Sequence, residues 1–66
     1  MTVARITEIS SISSKSFEDA ITQGVERANQ TLKNLKGAWV KDQEVTSENG
    51  KVTGYKVILQ VTFVLQ

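Results

Sequence analysis

Apolar and polar residues alternate along Tyr55-Lys-Val-Ile-Leu-Gln-Val-Thr-Phe-Val-Leu-Gln66, the period-two pattern of a long β-strand. Tyr55, Val57, Leu59, Val61, Phe63 and Leu65 fall on one face, and Ile58 and Val64 sit among polar residues on the other. The first face can be covered by the single helix that the chain encodes. The second has no covering element left, so it is read as an interface with other copies of the chain.

The period changes between residues 14 and 35, where Phe17, Ala20, Ile21, Gly24, Val25, Ala28, Leu32 and Leu35 follow the spacing of an amphipathic helix. Ser13 or Ser14 is the expected N-cap, with Glu18 and Asp19 near the positive end of the helix dipole and Lys33 and Lys36 near the negative end. Gly37 suits the residue just past the helix. Gly24 lies in mid-helix, where glycine costs up to about 1 kcal/mol relative to alanine. Close packing of a strand against the helix is the expected reason, in preference to a ligand role.

Asn49-Gly50 is the strongest hairpin signal, because a type I′ turn needs positive φ at both central positions. It joins a strand over about residues 38–48 to the final strand. With Glu48 opposite Lys51, the register sets Ala38 opposite Val61, Trp39 opposite Gln60, Val40 opposite Leu59 and Lys41 opposite Ile58. A bulge near Gly54 would shift that register by one residue. Ala38 and Val40 then join the helix-facing core, and Trp39 goes to the other face beside Ile58, Gln60 and Thr62.

Residues 2–10 alternate loosely, with Val3 and Ile9 on one side and Ala4 and Ile6 on the other, and read as a first strand. The serine-rich run from residue 10 to residue 14 is expected to end it. The order β-α-β-β makes this an α+β fold, a small antiparallel three-stranded sheet wrapped over one helix. Residues 1–66 are expected to form a single domain.

Length strengthens the case for association. A domain of about 60 residues buries only about 60% of its unfolded surface, and chains below about 70 to 80 residues usually need a staple. This chain of 66 residues has no cysteine and no histidine, which rules out disulfides and leaves zinc poorly served. Oligomerisation is the remaining staple. Eight basic and seven acidic side chains give a net charge of +1, spread along the chain, so no nucleic-acid footprint is expected. Charges interrupt the N-terminal apolar stretch, and no run is long enough for a signal peptide or membrane span, which makes the cytoplasm the expected location.

The missing histidine and cysteine also remove the commonest general base and the thiolate nucleophile, so no enzyme is expected. Glu8, Asp42, Glu44 and Glu48 are the carboxylates from which an acid/base pair or hard-cation site would have to be built, and solvated or ion-paired strand residues are the favoured reading. The glycines at 24, 37, 50 and 54 match no phosphate-binding loop. Trp39 on the outer sheet face reads first as an interface residue. Its second reading is a stacking platform for a flat ligand, with Lys41, Lys56 or Gln60 as polar partners.

Four segments, Ile6-Thr-Glu-Ile9, Glu18-Asp-Ala-Ile21, Glu26-Arg-Ala-Asn-Gln-Thr-Leu32 and the Tyr55 to Leu65 alternation, together resemble the dodecin family. The resemblance spans nearly the whole chain. It implies a homo-oligomeric, dodecameric shell that binds or stores a small ligand, with flavin (FMN, FAD or riboflavin) as the named cofactor. Flavin-binding dodecins carry a tryptophan shortly after the helix that stacks on the isoalloxazine ring, and a glutamine directly after the aromatic residue opening the last strand. Aligned without gaps, those positions fall on Gly37 and Lys56 in this chain. Trp39 lies two residues further, about 7 Å along the same strand face. A lost stacking partner weakens binding by about 1 to 3 kcal/mol, by analogy with bases on aromatic side chains. Gly37, Trp39, Lys56 and Gln60 are thus the candidate residues at the family's flavin site. The chain is similar to the subgroup that keeps the shell without the usual flavin pocket. The alternative role is therefore a structural or cation-binding dodecameric shell with no organic cofactor, for which the resemblance implies no particular metal ligands.

Overall fold

The computed structural model describes residues 3–65; Thr2, where the first strand was expected to begin, lies outside them. The elements are β1 (Val3–Ser13), α1 (Phe17–Leu32), β2 (Leu35–Glu48) and β3 (Lys51–Leu65). They form one antiparallel sheet in the order β1-β3-β2, with α1 laid across one face. The last strand in sequence is thus the central one. Both of its neighbours are edges.

β3 is central because its odd-numbered residues are apolar without a break from Tyr55 to Leu65. Val57, Leu59 and Val61 are fully buried beneath the helix, and Phe63 nearly so. Each such side chain contributes about 1.5 to 3 kcal/mol by leaving water. Ala20 and Ala28 meet them from α1, with Phe17, Ile21, Val25 and Leu32 around the rim. Phe17 also packs edge-on against Tyr55, ring centroids 5.2 Å apart. Leu65 lies past the helix and is exposed.

Gly24 allows the close approach. A Cβ there would lie 3.1 Å from both Leu59 Cδ1 and Ser11 Cβ, closer than an unstrained contact between carbons.

The helix is shorter than the periodicity predicts, Phe17–Leu32 rather than residues 14–35. Its N-cap is Ser16, not Ser13 or Ser14: the Asp19 backbone N–H donates to Ser16 Oγ at 2.9 Å. Ser13 belongs instead to β1, which runs on through the serine tract. Buried there, its hydroxyl donates to Asp19 Oδ2 at 2.6 Å and accepts from the Lys15 backbone N–H at 2.9 Å. At the other end Gly37 is not the residue past the helix. Lys33 and Asn34 turn the chain with φ of 55° and 51°, so Leu35 can enter β2 opposite Phe63 and Gly37 can pair with Thr62.

The hairpin turn holds positive φ at Asn49 and Gly50, as expected. Ala38, Trp39 and Val40 pair with Val61, Gln60 and Leu59, again as expected. Between turn and core the ladder departs from that register. Thr53 is an extra residue on β3, and Lys41 an extra residue on β2, so the two bulges cancel. Asp42 therefore stands opposite Ile58 in place of Lys41. The shift has a physical reason. It turns Asp42 and Glu44 to the outer face and brings Val45 beside Tyr55 on the helix side.

Candidate functional site

The outer face of the sheet has no helix over it. Its crosswise rows follow from the pairing: Ile6, Thr62 and Gly37; then Glu8, Gln60 and Trp39; then Ser10, Ile58 and Asp42; then Ile12, Lys56 and Glu44. Ile6 and Ile12 are 61% exposed and Trp39 is 69% exposed. Large apolar groups standing in water on one face of a β-sheet mark a contact surface.

Trp39 has a polar neighbourhood built by the Lys41 bulge. Lys41 Nζ reaches across β3 to Glu8 Oε1 at 3.1 Å, and Gln60 Nε2 donates to the same oxygen at 3.4 Å. The Lys41 and Gln60 hydrogen bonds, together with the Lys41 charge, hold the Glu8 carboxyl below its ordinary range. Sequence reasoning named Glu8 only as one of several carboxylates and missed this pairing. An opposite-charge partner across two strands cannot be read without knowing the strand order.

The four candidate residues share this face but not one spot. Trp39 and Gln60 are direct cross-strand neighbours. Gly37 lies one row beyond, with open space where a side chain would stand. Lys56 is four residues from Gln60, about 13 Å along the strand, and its amine lies 3.9 Å from Glu44 Oε1. Within one chain, then, Trp39, Gln60, Lys41 and Glu8 come together and Lys56 stands apart. Such a group can stack a flat ring on the indole and offer hydrogen bonds at its edge. The remaining carboxylates are scattered, and no group of three potential metal ligands forms among the described residues. No described helix is long and apolar enough to cross a membrane.

A β-α-β-β subunit with a covered inner sheet face and an aromatic-bearing outer face belongs to the class of small assembling, ligand-binding proteins. A family model described as Dodecin matches residues 3–66. The chain belongs to the dodecin family. It is similar to the dodecin of Streptomyces coelicolor, with 31% identity over 98% of this chain and 93% of that one, TM-score 0.92. A tryptophan-to-phenylalanine mutant of the Thermus thermophilus dodecin shares 32% identity over 100% of this chain and 98% of the other, TM-score 0.91. A calcium-chelating antigen of Mycobacterium tuberculosis, described as a calcium dodecin with a novel calcium-binding site, shares 28% identity over 97% and 91% of the two chains, TM-score 0.83. A search of curated proteins finds no match. The twelve-subunit assembly implied by the family accounts for an outer face left uncovered by the chain itself.

Proposed function

We propose that this chain is a non-enzymatic subunit, in the cytoplasm, of a twelve-subunit shell that binds or stores a small planar ligand, with flavin as the leading candidate. The whole chain serves as one such domain. The observation that carries the reading is Trp39, 69% exposed beside Gln60 on the uncovered face. A two-fold axis through this face would bring two indoles together and let them enclose a ring between copies. Absence of histidine and cysteine supports a binding role over a catalytic one. Native mass spectrometry with flavin titration tests the proposal, since Trp39 is the single tryptophan and its emission reports stacking directly. A twelve-subunit mass with quenching that disappears in Trp39→Phe is expected. A monomer, or unquenched emission at saturating flavin, overturns it.

A second reading, a structural or cation-binding shell without an organic cofactor, is favoured by the bare position at Gly37 and by Lys56 lying close to Glu44. The calcium described for the M. tuberculosis relative points the same way. Under this reading the double substitution Gly37→Trp with Lys56→Gln creates flavin binding that the natural chain lacks. Equal flavin affinity before and after refutes it.

A further inference from the structure

The helix supports only part of the sheet. Its 16 residues extend about 24 Å at 1.5 Å per residue, whereas the molecule is 51 Å long. β1 also stops at Ser13, opposite Tyr55. Beyond that row β2 and β3 continue as a two-stranded arm to the turn at Asn49 and Gly50. Val45 and Val52 lie on its helix side, 45% and 52% exposed. An isolated hairpin is at best marginally stable in water, so an arm with bare valines implies a surface that receives it.

The same chain carries such a surface. An open groove of about 570 Å³ runs between α1 and β1, with Ile9, Ala28 and Leu32 in its floor and Arg27 and Thr31 at its rim. Ala28 adds only a methyl group to the groove's lining. The groove lies beside residues 23–32 of α1, away from the arm, which leaves the sheet past the helix N-terminus. One copy therefore cannot fill its own groove. Arg27 has no ion-pair partner among the described residues, and neither has Glu48 at the arm's tip.

We propose that the arm of one copy lies in the α1–β1 groove of the next, with Val45 and Val52 against Ile9 and Leu32 and Glu48 toward Arg27. A second copy is the occupant because members of this family assemble with their own kind, and Glu48, which shares the tip with Lys51, carries the charge that can pair with Arg27. Arm and groove are different surfaces, so the contact is head-to-tail, the kind that closes into rings when the rotation permits. Edge strand β1 lies along the same groove, and an incoming arm shields its open backbone groups. This inference rests on the twelve-subunit reading but adds the surface that such a shell would use.

The absence of cysteine makes cross-linking clean. Full-length Val52→Cys and Thr31→Cys chains are co-expressed, purified together and oxidised, then compared with each variant alone on a non-reducing gel. The expected result is a disulfide-linked dimer in the mixture and none in either single variant. A dimer from Val52→Cys alone would mean that arms meet arms, and overturns the proposal. So does a mixture that stays uncross-linked while native mass remains at twelve subunits, an outcome that leaves the shell reading standing. A monomeric natural chain sinks both. Arg27→Glu should lower the assembled fraction and Arg27→Glu with Glu48→Arg should restore it; no recovery in a chain with an unchanged circular dichroism spectrum counts against the contact.

Discussion

Gly24 is held tightly by its neighbours. Alanine there would gain up to about 1 kcal/mol of helix propensity but would place a methyl 3.1 Å from Ser11 Cβ and Leu59 Cδ1. Overpacking of a tight core contact costs about 1 to 3 kcal/mol, so Gly24→Ala is expected to destabilise by about 1 kcal/mol net. Urea denaturation measures it, and a higher midpoint for the variant would contradict the packing argument. Glu8 gives a second prediction at this scale. Its carboxyl is held below the ordinary value, chiefly by the Lys41 hydrogen bond, so its contribution exists above the unfolded-state pKa and is lost as pH falls through the folded one. The pair is half exposed and screened, so the effect is small. Relative to Glu8→Gln, the natural chain should be the more stable near neutrality, with the difference vanishing in acid. A constant difference across pH would mean that the ion pair contributes nothing through charge.

At the level of elements, the turn and the bulge beside Gly54 were legible in the sequence, and the Lys41 bulge was not. Asn49-Gly50 could be read because few residues accept positive φ, and Gly50 takes φ of 78°. Gly50→Ala should lower stability by about 1 to 2 kcal/mol, the cost of an L-residue in the left-handed region; a thermal melt indistinguishable from the natural chain would refute this. The serine tract was legible only as a loop because serine favours turns. Ser11 and Ser13 are nevertheless strand residues: the helix passes so close at Gly24 that little more than a hydroxymethyl group fits at Ser11, and the Ser13 hydroxyl donates to Asp19. Gly37 misled for the opposite reason. Glycine is the usual residue after a helix, but Lys33 and Asn34 accept the left-handed turn themselves and Gly37 continues β2. The Lys41 bulge leaves no mark of its own in the sequence. It follows from keeping Asp42 and Glu44 off the apolar side, a constraint visible only once the sheet is paired.

For the whole molecule, the alternation in β3 foretold both the covered face and the bare one, and Trp39 and Gln60 on the outer face with them. Lys41 was named from the sequence as a partner of Trp39, but the approach of Glu8 was beyond it, because that depends on β3 lying between β1 and β2. A subunit with so much uncovered apolar surface should draw part of its stability from association. Its melting temperature is then expected to rise with protein concentration. Scans at widely separated concentrations that superimpose would show that the single chain is stable unaided. The strand order also has a consequence for synthesis. β1 and β2 never touch as neighbours in the sheet, and the strand that joins them is translated after both. Until β3 emerges, a growing chain holds two strands and a helix with no ladder to complete and no apolar wall to lean on. Assembly of the sheet therefore waits for β3 to emerge.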